Sequence, residues 1–378
     1  MKVGILTRHH IYHHGAILQA YALQEILSNS SYQVEIIDYR SVSHERTNKI
    51  IAVQPISLIK NVSLFYYITR QVTLVGWSFL NIDRRIHKKR IYDAFISQFM
   101  RYSPTIYRSS EELNEATLYD AYIVGSDQIW KVNNEERGIE HPFFLPFVPK
   151  DKVRIAYAAS FGKDVLPEKY EAELQELLTN FDTISIREKS SIPFIQKFTE
   201  LPVVNVLDPA LLMERKDWDE IVSNPIVPEK YLFVYSVTWN RNLAKFAKRV
   251  ADATGLKMVC IGPDYTKLGL RDAVCGPDTF IGYIKNAAFV VTDSFHGTVF
   301  SIQYEKPFYS YPPKGEEIRI SDILSLLGIS DRLIASADDF IDTDEVIDYN
   351  SVNMILEKQR VFSHDFLQAS LSLKKSDN

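Results

Sequence analysis

The stretch TDSFHGT, residues 292–298, closes an apolar run with a carboxylate, three hydroxyls, an imidazole and a glycine. A second apolar run follows it, so the motif sits where a strand gives way to a helix. Asp293 or Ser294 can cap that helix by accepting an amide hydrogen bond. Gly297 lets a ligand approach the backbone closely. Free amides at Gly297 and Thr298 and the helix dipole favour an anion such as phosphate. The same dipole disfavours a charged imidazole, so His296 is expected to stay neutral until an anion arrives. Such a group serves as acid or base near neutral pH. A core histidine bonded to a carbonyl is the plainer alternative.

Other reactive types recur at comparable places. VGSDQIW (124–130) ends a strand in a Gly-Ser-Asp turn. Asp127 there can orient a sugar hydroxyl or hold His296, and Trp130 can stack on a sugar ring; a capping turn with a core tryptophan fits equally well. RHHIYHHG (8–15) puts Arg8 and four histidines above the first strand. The spacing of His9 with His13 and of His10 with His14 permits zinc. No nearby Cys or well-placed Glu completes a site, so no metal is expected. A polar loop at the cleft is the better reading, with His13 and His14 facing an acceptor and Gly15 opening a helix. Arg187 in SIREKS stands immediately after a strand, where it can grip a carboxylate or phosphate or form a surface ion pair with Glu188. RRIHKKR (84–90) reads first as a solvated helix face and second as a patch for an acidic substrate.

The elements that must position these groups alternate between β-rich and helical patterns, which predicts βαβ units and parallel sheets. Strands are expected at 2–7, 33–37, 120–124, 153–159 and 183–186, with helices at 15–29, 168–180 and near 189–198. A second series has strands at 230–237, 256–261 and 288–292 and helices at 241–254, 278–286 and 297–304. The expected division is an N-terminal Rossmann-like domain over 1–205 and a second over 206–348. A helical insertion covers about 42–115, and a helix in 349–378 packs back on the first domain. The KKSDN end is expected to fray. In such sheets ligands bind beyond the carboxyl ends of the strands. The polar and aromatic residues gather there, including Ser160, Gly162, Trp239 and Gly262.

At 378 residues the chain exceeds the usual single-core limit of about 250–300. A net charge of −5 and a pI of about 6.0 argue against a nucleic-acid-binding surface. Cys260 and Cys275 cannot make a disulfide framework, which suggests a reducing compartment. The N-terminal MKVGILTR is too short in apolar residues for a signal peptide, so a cytoplasmic protein is expected. The stretch 61–82 is the most membrane-like, yet Arg70 and Gln71 interrupt it. A buried helical cap, or contact with the inner face of a membrane, is expected there. Walker A, G-x-G-x-x-G and G-x-S-x-G motifs are absent.

Taken in order, GAILQAYALQ (15–24), VEIIDYR (34–40), YDAYIVGSDQIW (119–130), IAYAASFG (155–162), SIRE (185–188), VLDPALLM (206–213), VTDSFHGTVFSI (291–302) and KPF (306–308) carry a resemblance. The chain resembles the polysaccharide pyruvyl transferase family over most of residues 1–330. The resemblance implies two lobes arranged as in GT-B glycosyltransferases, with the active site between them. It implies transfer of a pyruvyl group from phosphoenolpyruvate to a sugar of a capsular, exopolysaccharide or cell-wall glycan. A cyclic ketal forms, phosphate leaves, and no cofactor is needed. His296 matches the motif histidine and is the expected acid/base group, with Asp127 beside it. Arg187 matches the basic group after SI, and Ser294, Gly297 and Thr298 would help hold phosphate. Asp127, Gln128 and Trp130 would face an acceptor that is a glycan or a lipid-linked or nucleotide-linked sugar. Where members often carry Arg, two residues before the histidine, this chain has Ser294; Arg8, Arg319 and Lys306 are candidates to supply that cation. A GT-B-like glycosyltransferase with a nucleotide-sugar donor is the competing expectation, and a non-catalytic two-lobed binding protein the third.

Overall fold

The computed structural model describes residues 1–41, 48, 50–51, 63–116, 119–132, 138–163, 165–227, 229–237, 240–262, 271–272, 274–343 and 345–373. Trp239, the 374–378 end and much of 42–62 lie outside them. Seven strands make the first sheet: β1 (Lys2–Leu6), β2 (Gln33–Tyr39), β3 (Tyr102–Tyr107), β4 (Ala121–Val124), β5 (Val153–Ala159), β6 (Thr183–Ile186) and β7 (Val203–Asn205). Their order is β3-β2-β1-β4-β5-β6-β7 and every pairing is parallel. Five make the second: β8 (Tyr231–Tyr235), β9 (Lys257–Ile261), β10 (Arg271–Asp272), β11 (Phe289–Thr292) and β12 (Phe308–Ser310), ordered β10-β9-β8-β11-β12 and again parallel. Both orders are doubly wound, reversing at β1/β4 and at β8/β11. The sequence of β8, YLFVY, shows why: it is buried on both faces, as central parallel strands are.

The helices are α1 (His14–Asn29), α2 (Leu64–Leu80), α3 (Ile82–Phe99), α4 (Glu171–Leu178), α5 (Ile192–Ile195), α6 (Pro209–Leu212), α7 (Arg215–Asp219), α8 (Arg241–Thr254), α9 (Pro277–Asn286), α10 (Phe295–Gln303), α11 (Ile318–Leu326) and α12 (Tyr349–Leu371). The helical part of the expected insertion is α2 and α3. Residues 102–107 are instead strand β3, at the edge of the first sheet beside β2. Pro104 sits at this edge, where a missing N–H costs no ladder bond. β7, β10 and β12 also escaped the periodicity reading, because two or three residues carry no period.

α1 is buried almost all round because it is sandwiched. It packs on the first sheet and on α6, and it also touches α9 and α10 of the second lobe. One continuous apolar core therefore joins the lobes, with Trp218, Phe280 and Phe300 in it. α12 returns across the first lobe: the Ser363 hydroxyl accepts from the Leu207 amide at 3.0 Å, and Thr183 bonds Ser370. Two Rossmann-like lobes, clasped by a C-terminal helix, make a GT-B-like arrangement. Among the described residues no helix is long and apolar enough to cross a membrane.

Candidate active site

The two switch points face each other across the cleft. In the first sheet Leu6 pairs with Val124, so β1 and β4 end in register at Thr7-Arg8 and Gly125-Ser126-Asp127. In the second, Tyr235 pairs with Thr292, so β8 and β11 end together at Ser236 and Asp293-Ser294. Asp293 clasps that pair: its carboxylate accepts from Ser236 Oγ at 2.6 Å and from the Val237 amide at 2.8 Å. Burial pushes Asp293 up to about 6.

His296, on the first turn of α10, is 3 % exposed. Its Nε2 lies 3.7 Å from Asp208 Oδ1 and has no hydrogen-bond partner among the described residues. Its Nδ1 faces the first lobe, where Gly15 of α1 lies so close that a Cβ on it would sit 2.1 Å away. Burial lowers the His296 pKa, the Arg187 and Arg319 charges lower it further, and Asp208 and Asp127 oppose them. The ring is thus neutral, poised between two carboxylates and two guanidiniums.

Arg187 is a buried strut rather than a surface ion pair. Its Nε donates to Glu188 Oε1 at 3.0 Å and its Nη1 to Asp208 Oδ2 at 2.8 Å. The guanidinium lies over the Phe295 ring, 4.1 Å from its centroid. Nη2 is left without a partner among the described residues. Asp208 Oδ2 also accepts from Ser126 Oγ at 2.7 Å, and its Oδ1 caps α6 through the Ala210 amide. Burial would raise Asp208, yet His296 and Arg187 hold it below the usual carboxylate range. Glu188 also accepts from Ser160 Oγ. Sequence reading placed Ser126 at a strand end without a role and missed Asp208 and Glu188. VLDPALLM and SIRE were visible as motifs, but an Asp before Pro reads as a helix cap and a Glu after Arg as its surface partner.

Arg319, from α11 in the second lobe, donates through Nη2 to Glu316 and leaves Nε without a partner among the described residues. Arg8 pairs loosely with Glu140 at 3.7 Å and also leaves Nε over. Asp127 holds a left-handed backbone, φ 82°, which costs a non-glycine residue energy and marks a constrained position. Burial would raise its pKa, but Arg187, His296, Arg8 and His13 outweigh that and hold it well below the carboxylate range. His296, Asp127, Arg187, Arg8, Arg319 and His13 therefore act on one another electrostatically.

Other expected positions fall elsewhere. Trp130 is 2 % exposed, stacks on Phe144 and donates to the Phe143 carbonyl, so no face is left for a sugar. Gln128 is partly exposed and abuts Gly162. Ser294 caps α10 by accepting the Gly297 amide at 3.3 Å, and the Thr298 amide bonds the Ser294 carbonyl. The amides expected to hold phosphate are thus spent inside the helix. Lys306 follows the far end of α10, which lies roughly 10 Å from His296 along a helix rising ~1.5 Å per residue, and the charges acting on it are Arg215 and Lys285. Arg319 and Arg8, in contrast, act electrostatically on Arg187 and Asp127. His14 ties the lobes together: its ring nitrogens contact Tyr235 Oη at 3.2 Å and the Cys275 carbonyl at 3.1 Å, and it stacks on Phe280. Among the described residues no group of three His, Cys, Asp or Glu side chains could hold a metal ion.

His13 caps α1, with Nδ1 accepting from the Ala16 amide at 3.4 Å. Burial lowers it from 6.5 to about 4. Its folded pKa is depressed, so the stability it confers is complete above about 6.5 and drains away as pH falls toward 4. At pH 5 the loss from this group is about 1–2 kcal/mol. Asp293 and Glu188, raised by burial, act in the opposite sense, so the test is comparative. His13→Asn, which also caps, should flatten the fall in thermal midpoint between pH 7 and pH 5. An unchanged slope would place His13 in water-like surroundings.

Fold and site together describe a two-lobed α/β protein of GT-B-like architecture, with a buried histidine ringed by charge at the switch points. The chain belongs to the polysaccharide pyruvyl transferase family, a family of transferases whose sequence profile matches residues 13–314. No curated relative matches it. Among solved structures it is similar to UDP-N-acetylglucosamine 2-epimerase from Rickettsia bellii (12 % identity over 97 % of this chain and 98 % of that one, TM-score 0.46). It is also similar to UDP-GlcNAc 2-epimerase from Methanocaldococcus jannaschii (11 %, 98 % and 99 %, 0.49) and to MurG from Acinetobacter baumannii (9 %, 99 % and 98 %, 0.39). Identity so low and TM-scores below 0.5 say nothing about chemistry.

Proposed function

We propose that the protein transfers the pyruvyl group of phosphoenolpyruvate to a sugar of a capsular, exopolysaccharide or cell-wall glycan, forming a cyclic ketal and releasing phosphate. One observation carries this reading beyond the family: Arg187 and Arg319, from the two lobes, act electrostatically on His296 and Arg8 acts on Asp127, and each keeps an N–H group without a partner among the described residues. Such an array suits a small ligand bearing both a carboxylate and a phosphate.

The steps follow from the groups present. The arriving dianion raises the His296 pKa, so the ring takes a proton. Nε2–H then protonates the methylene carbon of phosphoenolpyruvate, and one sugar hydroxyl adds to the neighbouring carbon. A second hydroxyl displaces phosphate and closes the ketal. Of the two hydroxyl protons, one is balanced by the new methyl group and the other leaves with phosphate. Asp127 orients the hydroxyls. Arg187 Nη2, Arg319 and Arg8 hold the carboxylate and phosphate, and Asp208 steadies the imidazolium. Val72, Trp77, Phe79 and Leu80 of α2 are exposed, Leu80 at 86 %. They support working at a membrane surface, on the inner face of which a lipid-linked acceptor would lie.

A ligand of the native state raises its unfolding temperature. Phosphoenolpyruvate should protect the protein, and UDP-sugars without it should protect less. The reverse order would favour the nucleotide-sugar glycosyltransferase reading.

A further inference from the structure

Glu316, Arg319 and Asp322 stand three residues apart through the start of α11, so they share one side of it. Ile320, Ile323 and Leu324 fill the apolar core from the other side. The chain enters α11 through a tight turn. The Glu316 amide donates to the Pro313 carbonyl at 3.0 Å, and Gly315 takes φ 78°, which glycine adopts without strain. Glu316 then reaches the first lobe, where its Oε1 lies 3.2 Å from Lys131 Nζ, beyond β4. Burial would raise Glu316, but Lys131, Arg319 and Lys163, the last from the loop beyond β5, hold it below the usual carboxylate range. Six residues on, Asp322 Oδ2 accepts from the Ser190 amide and the Ser190 hydroxyl, both at 2.8 Å, in the turn beyond β6. A helix of the second lobe is therefore fastened at two points to loops at the carboxyl edge of the first sheet.

Arg319 lies between the two fastenings. Its Nη2 donates to Glu316 Oε2 at 3.0 Å, and its Nε has no partner among the described residues. Burial lowers its pKa and the Arg187 charge lowers it further, with Glu188, Asp127 and Glu316 opposing. Two guanidiniums from different lobes thus face each other in a buried place, and such a pair repels. Arg187 is tied down within its own lobe by Glu188 and Asp208. Arg319 has no hydrogen bond to a first-lobe carboxylate among the described residues, so its place there depends on how α11 is seated. Both arginines line one cavity of about 20 Å³, with Asp322 and Ile323 also in its wall. That is room for about one water, so a small tilt of α11 changes what fits between the arginines.

We propose that Glu316 and Asp322 are positioning residues, which seat α11 on the first lobe and thereby hold Arg319 against the anionic donor. The donor contact of Arg319 rests on the pyruvyltransferase reading; the seating of α11 does not. The full chain is titrated calorimetrically with phosphoenolpyruvate, and hydrogen exchange is followed in peptides spanning Ser190, whose amide Asp322 protects. Asp322→Ala and Glu316→Gln should each weaken phosphoenolpyruvate binding about tenfold, as Arg319→Ala should. Adding Asp322→Ala to Arg319→Ala should weaken it no further, because Asp322 acts through Arg319. A residue with a merely structural role would weaken binding equally with and without Arg319. Exchange at Ser190 should quicken in Asp322→Ala even without ligand. Unchanged exchange there overturns the seating. Undiminished binding in both single variants, or equal losses with and without Arg319, overturns the positioning role. Tighter binding in Glu316→Gln does so too, by showing that Glu316 competes with the donor for Arg319. Quickened exchange in Asp322→Ala, together with a wild type that does not bind phosphoenolpyruvate, would uphold the seating and overturn the donor assignment instead.

Discussion

His296→Ala should lower turnover at least about a hundredfold, as the loss of a general acid does. The same loss is expected of His296→Asn, which keeps much of the bulk and the hydrogen bonding but cannot deliver a proton. Pairing the two substitutions separates chemistry from packing, because the ring is buried against Gly15 and a cavity left by Ala could itself disturb the cleft. Donor protection against unfolding should survive in the Asn variant, since Arg187, Arg319 and Arg8 remain. Near-normal turnover in a folded Asn variant would remove His296 from the chemistry and leave it as an interlobe packing residue.

Gly15→Ala should be nearly as damaging, although it deletes no functional group. Alanine is the better helix former by roughly 0.5–1 kcal/mol, so α1 alone should tolerate or prefer it. The new methyl would lie 2.1 Å from His296 Nδ1, a separation no real contact shows, so either the ring or the lobe must move. A displacement of about 1 Å from productive geometry can cost about a hundredfold in rate. The expected signature is a fall in kcat with secondary structure intact. Unchanged kcat would mean that the lobes stand further apart in the working enzyme, with Gly15 and His296 not in contact there.

Much of this arrangement was legible in the sequence, for a definite reason. Strands such as YLFVY and FVVT are continuous apolar runs, and TDSFHGT and GSDQIW stand at their ends because parallel strands deliver polar loops to one edge. His296, Arg187 and Asp127 could therefore be singled out from position, and their charges do act on one another. What stayed hidden depends on three-dimensional partners. Trp130 and Ser294 are polar or amphipathic residues beside the right loop, yet one turns into an aromatic core and the other spends itself on a cap. Lys306 follows the histidine closely in sequence but is carried away by the length of α10. Asp208 looked like a cap and is one, yet its second oxygen holds Arg187 and its first approaches His296. One carboxylate performing two tasks leaves no mark in a linear pattern. The strand β3 was masked by Pro104 and by the helices before it.

The most direct test is a single incubation of the full chain with phosphoenolpyruvate and candidate lipid-linked or nucleotide-linked sugars, followed by phosphate assay and product mass. The expected result is phosphate released in step with a product heavier than the acceptor by one pyruvate less one water, absent in His296→Asn. Intact phosphoenolpyruvate alongside sugar transfer from a nucleotide-sugar donor would contradict it.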